Sequence, residues 1–305
     1  MSLGTAHPCP IDLAVFGNLL VDDIVYADGT TRMGQAGGAV LYFALAGWLC
    51  GLRVGIVSVR GDDYPSDTLD ALEKRGIDLA GVRPLGKPGL RTWLLDEGAK
   101  RQVVHRLEGP RHDTVTPRFD DLPESWHRAA AFHLAPMPML LQHTLVRALK
   151  PLDGLLSLDP YALLRDGDQH LWRELLEGLD LFFVSEDEVL LSGDASEGLA
   201  ALAPTTHRVR ILHKRGKRGG VLIDGERRIR WWPRVASVVD PTGAGDAFAA
   251  GYLAGHLRRE GVERSLQWGV VAASFAIEAP GVEKLLHASP EEARQRFSEW
   301  FEETP

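Results

Sequence analysis

Residues 239–255 read VDPTGAGDAFAAGYLAG, which is a strand end, a glycine-rich turn and the start of a small-residue helix in direct succession. The glycines at 243 and 245 allow a tight turn, so that the first amides of the helix converge on one point instead of being shielded by side chains. Aligned peptide dipoles add partial positive charge at that point. The stretch therefore predicts an anion site of the kind that stabilises a phosphoryl group during its transfer.

A carboxylate, Asp246, stands directly after this turn. A negative group among phosphate-binding amides repels phosphate unless it has a task, and the task that fits is to accept a proton from a hydroxyl nucleophile. The alternative interpretation is a plain helix cap, because the helix dipole favours Asp in a first turn. The pattern Gly-x-Gly-Asp by itself leaves both interpretations open.

The longer pattern DPTGAGDAFAAG at 240–251 resembles, nearly position for position, the C-terminal signature of the PfkB (ribokinase-like) sugar and nucleoside kinases. The resemblance implies that the amides of Gly243, Ala244 and Gly245 form an anion hole and that Asp246 is the catalytic base. It is strongest in 239–255, moderate in 11–62 and weak elsewhere. It implies ATP and Mg²⁺ as cofactors and leaves open a monovalent cation such as K⁺.

The composition indicates a globular enzyme. The chain has 305 residues, of which 45% are hydrophobic, so it can bury a large core. A formal net charge of -8 argues against nucleic acid as the main partner, since binding a phosphate backbone requires clustered positive charge. Only Cys9 and Cys50 occur, and neither a membrane-length apolar run nor a signal peptide is found. We therefore expect a cytoplasmic protein with no membrane partner.

Alternating strands and helices predict an α/β fold, and the resemblance specifies a ribokinase-like three-layer α/β/α domain with a mainly parallel central sheet and a small β-sheet lid. Strands are predicted at 11–16, 53–59, 130–134, 155–158, 181–184 and 209–213, and an antiparallel pair at 219–224 and 227–232. Helices are predicted at 37–50, 65–75, 244–259, 263–278 and 290–302. Extended segments at about 18–36 and 90–108 are predicted to form the lid. We expect one PfkB-type kinase domain over 1–305.

Three residues are predicted to bind the phosphate acceptor. Asp22 lies five residues after Gly17, where the family places an Asp that binds substrate hydroxyls, and a carboxylate can accept two such hydrogen bonds. The neighbouring Asp23 leaves the choice open, and an exposed strand Asp is the alternative. Gly37 and Gly38 resemble the N-terminal Gly-Gly motif of the family, where bare backbone lets a sugar approach closely.

The acceptor motif also departs from the ribokinase type. Ala39 stands where those members carry Lys after the glycine pair, and Tyr42 stands where they carry Asn. The pocket therefore cannot bind ribose as ribokinases do, and we expect a neutral polyhydroxy acceptor other than ribose. Because family members pair their lids between subunits, a homodimer through the lid is also predicted.

Two further motifs concern ATP and Mg²⁺. Glu188 resembles the Glu of the family's N-x-x-E motif, which organises Mg²⁺ through water, although Ser185 replaces the usual Asn. The alternative is that the acidic residues at this helix start only complement the dipole. Gly216 and Gly219 match the family's T-x-G-x-x-G motif with Lys214 at the Thr position, which predicts a nucleotide site; a solvated charged turn is the alternative.

The sequence thus predicts an ATP-dependent kinase that transfers the γ-phosphoryl group to a hydroxyl of a sugar, an inositol-like polyol or a nucleoside. The alternative is a non-catalytic sugar- or nucleotide-binding regulatory protein on the same fold. The eleven histidines show no ligand spacing and are expected to be structural or surface residues. The eight tryptophans are expected to pack in the core or the lid.

Overall fold

Two sheets organise the computed structural model, which describes residues 9–96, 101–106, 109–203, 208–234 and 237–302. In chain order, the strands of these residues are β1 Leu13–Phe16, β2 Leu20–Val25, β3 Thr31–Gly37, β4 Val54–Arg60, β5 Asp78–Pro84, β6 Arg91–Asp96, β7 Arg101–His105, β8 Ala131–Leu134, β9 Leu155–Leu158, β10 Leu164–Arg165, β11 Leu181–Ser185, β12 Val189–Leu190, β13 Arg210–Lys214, β14 Gly220–Asp224 and β15 Arg227–Trp231. Short β10 and β12 pair only with each other.

The large sheet has nine strands in the order β15-β14-β13-β11-β9-β8-β1-β4-β5. The strands from β13 to β5 run parallel, whereas β14 and β15 form an antiparallel pair at one edge. Central strands such as β1 and β8 are buried along their whole length. Continuous apolar strands of this kind are expected where helices cover both faces of a parallel sheet.

Helices cover both faces of the large sheet. In chain order they are α1 Ala39–Leu49, α2 Ser66–Lys74, α3 His112–Val115, α4 Met139–Leu149, α5 Gln169–Leu176, α6 Ala195–Leu202, α7 Ala244–Leu257, α8 Val262–Ala276, α9 Glu283–His287 and α10 Pro290–Phe301. One buried cluster joins α1, α7 and α8 to one face, and a second joins α4, α5 and α6 to the other. The predicted three-layer α/β/α fold is confirmed.

A smaller four-stranded sheet, in the order β3-β2-β6-β7, joins the two predicted lid segments. β2 pairs antiparallel with β3 and parallel with β6, and β6 pairs antiparallel with β7. Part of the second predicted lid segment, at 97–100 between β6 and β7, lies outside the described residues. We refer to strands β2, β3, β6 and β7 as the small sheet. Within the described part of the chain, none of the helices has the length and apolar character needed to cross a membrane.

The sequence analysis missed β5, the edge strand of the large sheet. Its residues are mostly half-buried or exposed, and it ends in Pro84, so it lacks the apolar run that marks the central strands. An edge strand has one neighbour and can therefore carry such a sequence. β3 was included only as part of a lid segment, because its first three residues are polar or exposed.

Candidate active site

The carboxyl ends of the parallel strands bring polar side chains together. Asp159 follows β9, Glu188 lies in a 3₁₀ turn after β11, and Lys214 is the last residue of β13. Lys214 is in register with Ser185 at the end of β11. Ligands of open α/β sheets bind at this edge. The structure therefore places two predicted residues, at 188 and 214, beside an aspartate that the sequence analysis did not single out.

The glycine-rich turn before α7 packs tightly between two supports. Gly243 has φ 74°, in the left-handed region, and a Cβ atom there would lie 1.9 Å from the Tyr42 ring. Only glycine fits this position. On the other side of the turn, the Asp240 carboxylate accepts hydrogen bonds from the Thr242 amide at 3.0 Å and the Gly281 amide at 3.2 Å. Tyr42, a departure from the ribokinase type, is thus part of the scaffold of the turn.

The amides predicted to form the anion hole differ in their surroundings. The Ala244 N–H donates to the carbonyl of Pro241 over a long 3.3 Å. Gly245 and Asp246 follow it in the first turn of α7, where backbone N–H groups have no acceptor within the helix. The Gly245 amide is therefore best placed to receive an anion, because the Ala244 amide donates to Pro241 and the Asp246 amide donates to its own carboxylate.

Two cavities adjoin the start of α7. A cavity of about 500 Å³, the donor cavity, is lined by Ala244 and Gly245. A cavity of about 620 Å³, the acceptor cavity, is lined by Gly243 and Asp246. None of the described residues lines both. Both volumes suit small molecules, so the first turn of this helix separates two ligand-sized spaces.

The donor cavity combines apolar walls with a basic rim. Trp231 stacks on Phe248 with ring centroids 4.8 Å apart, and both line the cavity. Gly219 has φ 75°, and a Cβ there would lie 2.0 Å from the Trp231 carbonyl. The predicted nucleotide residues Lys214, Gly216 and Gly219 line the same space. Three further cations and two acidic residues also line it: Arg215, Lys217, Arg234, Glu186 and Asp187. An apolar slot beside cations suits a purine nucleotide.

Two of the three predicted acceptor-binding residues, Asp22 and Gly38, line the acceptor cavity. Asp22 lines it and is largely buried, and its carboxylate accepts a short hydrogen bond from Thr92. Gly37 packs directly against Asp22, because a Cβ atom on Gly37 would lie 1.9 Å from the Asp22 carboxylate. Gly38 has φ 106°, and a Cβ there would lie 2.1 Å from the Asn18 carbonyl. The glycine pair is thus required for the close packing around Asp22.

Asp23 has entirely different surroundings. Its carboxylate is fully buried and accepts hydrogen bonds from Arg91 at 2.6 and 2.8 Å and from the Gly34 amide at 2.8 Å. Arg106 adds a contact at 3.2 Å. These hydrogen bonds, chiefly the one from Arg91, lower the pKa of Asp23. Asp23 therefore stabilises the small sheet, and of the two aspartates only Asp22 lines the acceptor cavity.

Three aromatic side chains from distant parts of the chain form one wall of the acceptor cavity. His105, His112 and Tyr161 have ring centroids 5.2 to 6.3 Å apart. His112 accepts a 2.6 Å hydrogen bond from Asn18, and burial lowers its pKa to about 4, so its ring is neutral near pH 7. We refer to these three rings as the aromatic wall. The sequence analysis expected structural or surface histidines and did not find this wall.

The electrostatics of Asp246 suit proton transfer. Burial, with the nearby charge of Asp159, raises its pKa to about 7, and the charge of Lys214 opposes this shift. A base is most effective when its pKa lies near the working pH. The geometry agrees, because Asp246 lines the acceptor cavity while the preceding Gly245 lines the donor cavity.

Lys214 lies at the centre of a largely buried group of charges. Its ammonium nitrogen is 2.6 Å from Asp159 Oδ1. Burial works to lower the pKa of Lys214, but the charges of Asp159, Glu188 and Asp246 outweigh it, so the pKa is raised. For the carboxyl group of Glu188, burial has the opposite effect and raises the pKa to about 8. One of its oxygens accepts a hydrogen bond from the Ser185 amide at 2.6 Å.

Comparison with known proteins assigns these features to one family. The family described as pfkB family carbohydrate kinase matches residues 11–288. A cytidine kinase of Thermococcus kodakarensis is 30% identical to the chain over 287 residues, covering 86% of this chain and 95% of the relative. An acarbose 7(IV)-phosphotransferase of Actinoplanes sp. is also 30% identical, over 85% of each chain.

Solved structures share the fold. A protein of Escherichia coli described as a putative ribokinase II, solved in complex with ATP and Mg²⁺, superposes with a TM-score of 0.70 at 20% identity, over 93% of this chain and 99% of that one. At this identity the likeness concerns the fold alone. It agrees with the three-layer arrangement and with the presence of a second, smaller sheet.

Proposed function

The chain belongs to the pfkB family of carbohydrate kinases and is a carbohydrate or nucleoside kinase, and from that premise we propose that it transfers the γ-phosphoryl group of ATP to a hydroxyl of a neutral nucleoside. The donor cavity would hold ATP and the acceptor cavity the nucleoside. The predicted single kinase domain, its lid, and a cytoplasmic setting remain part of this proposal.

One observation carries the proposal: the first turn of α7 lies between the two cavities. Ala244 and Gly245 line the donor side, and Gly243 and Asp246 line the acceptor side. A phosphoryl group that passes from one substrate to the other must cross at such a boundary. Amides and a base at the crossing point are what in-line transfer requires.

The reaction follows from the groups at this boundary. The acceptor hydroxyl gives its proton to the Asp246 carboxylate while its oxygen attacks the γ-phosphorus. A new P–O bond forms as the bond between the γ-phosphorus and the β,γ-bridging oxygen breaks, and ADP leaves with that electron pair. The amides of the first turn, chiefly that of Gly245, stabilise the charge on the phosphoryl oxygens. Asp22 orients the acceptor through its other hydroxyls.

The residues present fit a water-mediated Mg²⁺. Glu188 is a half-buried carboxylate near other carboxylates, and its pKa is raised to about 8, so a nearby cation would stabilise its ionised form. No group of three or more His, Cys, Asp or Glu among the described residues could hold a metal directly. Mg²⁺ keeps several waters and uses few protein carboxylates. When bound, it would neutralise phosphate charge; a requirement for K⁺ also remains open to test.

The acceptor cavity favours a neutral acceptor. The described residues that line it include no Lys or Arg, so nothing there would neutralise a phosphate group on the acceptor. Ala39 lines the cavity in place of the lysine of ribokinases. These features support the expectation of an uncharged acceptor other than ribose.

The aromatic wall supports a nucleoside over a free sugar. A nucleobase can stack on His105, His112 or Tyr161, whereas a free sugar would leave much of this wall in contact with water. The cytidine kinase relative acts, by its name, on such a compound. Ribose turning over with a higher kcat/KM than every nucleoside tested would contradict this choice of acceptor.

The decisive experiment compares the parent chain with Asp246→Asn in an ATP-turnover assay over nucleosides, hexoses, inositols and ribose. The Asn side chain keeps the shape but cannot take the proton, so kcat with the best acceptor should fall by about 10²–10⁴. ATP affinity, measured by calorimetry, should hold or improve because a negative charge is removed.

Two outcomes would contradict the proposal. If Asp246→Asn binds ATP normally and keeps kcat within about tenfold of the parent, the carboxylate is a helix cap and not the base. If the parent chain binds ATP and nucleosides but turns over none of the acceptors, the chain is a binding protein on a kinase fold.

A further inference from the structure

We propose that Lys214 is a catalytic residue whose ammonium group stabilises the phosphoryl group during transfer, and that Asp159 is the positioning residue that holds it there. This inference rests on the proposed function, because it concerns the same transfer. It goes further by assigning Lys214 to the transition state and by giving a role to an aspartate outside the motifs of the sequence.

The position of Lys214 carries the first step. Its Nζ atom lies 3.2 Å from the point where a Cβ on Gly245 would stand. The glycine therefore leaves room for the ammonium group against the backbone of the predicted anion hole. Lys214 also lines the donor cavity together with Ala244 and Gly245. A phosphoryl group bound to these amides would lie within reach of the ammonium group.

Asp159 fixes this position. Its Oδ1 is 2.6 Å from Lys214 Nζ, and the side chains of Asp159 and Lys214 are only 3% and 11% exposed. The backbone of Asp159 is held in turn, because the Gln142 amide group donates to its carbonyl at 2.7 Å and to that of Ala135 at 3.2 Å. A long, flexible lysine is thereby confined to one place, which is the preorganisation that electrostatic catalysis needs.

The surrounding charges explain why a cation is useful there. Asp159, Glu188 and Asp246 all act electrostatically on Lys214, so three carboxyl groups that can ionise surround one ammonium group. The negative γ-phosphoryl group would be repelled by these carboxylates, and its charge needs an opposing one at the amides. A buried ion pair is weak evidence of a stabilising role, whereas a fixed cation beside an anion hole has a direct catalytic use.

A lysine also changes the chemistry of its motif. Family members often carry Thr at this position, and a hydroxyl brings a hydrogen bond but no charge. Because Lys214 precedes Gly216 and Gly219 in the same turn, it could instead act only in the ground state, as one more contact to ATP. The two roles differ in which constant they change: ground-state binding changes the ATP Kd, and transition-state stabilisation changes kcat.

The test replaces Lys214 with Met, which keeps the length of the side chain and removes its charge. We expect kcat with the best acceptor to fall by about 10²–10³, as for loss of one donor to a developing charge. The Kd of ATP, from calorimetry, should change by less than about tenfold, so that the loss falls mainly on kcat. Lys74→Met, at an exposed site on α2, is the control for loss of one lysine and should behave as the parent.

A second variant guards against misfolding. Lys214→Met leaves Asp159 buried without its partner, so we pair it with the double variant Asp159→Asn/Lys214→Met, which removes both charges. Both variants are checked by thermal unfolding, and the double variant should fold and show the same loss of kcat. The inference is overturned if a folded Lys214 variant keeps kcat within about threefold of the parent, or if only the ATP Kd rises. If the parent is active and a Lys214 variant gives either of these results, this inference alone is overturned. If the parent itself is inactive, the proposed function is overturned as well.

Discussion

The pKa of the Asp246 carboxylate is shifted in the direction expected of a proton acceptor and opposite to that of a helix cap. A cap on an exposed helix start has a lowered pKa, as at Asp194, where the backbone amides of Glu197 and Ser196 stabilise the ionised form. Burial and the charge of Asp159 shift the pKa of Asp246 in the opposite direction, to about 7. The difference separates a residue that stabilises helix α6 from one that can exchange a proton near neutral pH.

This raised pKa predicts an acid limb in the pH profile of kcat/KM. Asp246 must be ionised to accept a proton, and the ionised fraction falls as the pH drops through about 7. Activity should therefore fall about tenfold per pH unit below that midpoint. Steady-state kinetics with saturating Mg²⁺, from pH 5 to 9, would measure the limb.

The control for this profile is the residual activity of Asp246→Asn. If Asp246 causes the limb, the variant should lack it, because no carboxylate remains to be protonated. Glu188 has a pKa raised to about 8 by burial and could produce a limb in the same range. A limb that persists unchanged in Asp246→Asn would assign the titration to Glu188 and contradict the prediction.

Three separate elements supply the aromatic wall of the acceptor cavity. His105 ends β7, His112 begins α3, and Tyr161 lies in the loop after β9. Tyr161 is 44% exposed, although its hydroxyl lies 3.1 Å from His105 Nε2. A large aromatic ring that remains this exposed on a cavity wall offers a face to a flat ligand.

Tyr161→Ala should therefore lower kcat/KM for nucleosides by about ten- to hundredfold, the usual loss when one base-stacking ring is removed. Free sugars, which have no base to stack, should be affected less than about threefold in any slow turnover they show. Tyr161→Phe keeps the ring and is the matched control, so it should resemble the parent. Equal losses for nucleosides and sugars in Tyr161→Ala would show that the ring only supports the loop.

Local sequence could predict the turn before α7 but not the aromatic wall. The turn depends on glycines and a helix start within one short stretch, so its geometry is encoded where it occurs. The wall depends on residues 105, 112 and 161, which only the packing of the small sheet against the large one brings together. Asp159 was missed although a signal existed, since an Asp-Pro pair directly after the apolar strand β9 marks the edge where ligands bind.

The neighbouring aspartates of β2 show a second limit of sequence reasoning. Alternation along a strand predicts that Asp22 and Asp23 lie on opposite faces. It does not predict which of the two faces meets the acceptor. The distinction depends on Arg91, which lies on the neighbouring strand β6 and forms an ion pair with Asp23. Only the relative positions of β2 and β6 distinguish Asp22 from Asp23.

At the level of the whole molecule, the small sheet has exposed apolar side chains on its outer strands. β3 and β7 are the edges of this sheet, and Met33 and Val104 on them are 47% and 43% exposed. Open edges with apolar side chains are surfaces that proteins cover. We therefore propose, as the sequence analysis predicted, that two copies associate through their small sheets.

Light scattering at micromolar concentration should give the mass of a dimer. Val104→Glu should shift the mass to that of a monomer, because it places a charge in the proposed contact. Leu140→Glu is the matched control, since Leu140 is also exposed but lies on α4. A monomeric mass of the parent at every concentration, or a dimer that survives Val104→Glu, would contradict the prediction.

The separation of the two cavities by one helix start has an evolutionary consequence. Because no described residue lines both, mutations that reshape the acceptor wall need not disturb the nucleotide, and the chemical step is inherited with the turn itself. Relatives that are equally similar to this chain are accordingly named for acceptors as unlike as cytidine and acarbose. On the proposed function, selection can exchange the acceptor of such an enzyme by altering a few side chains around Tyr161 and the small sheet, without changing the cavity assigned to ATP.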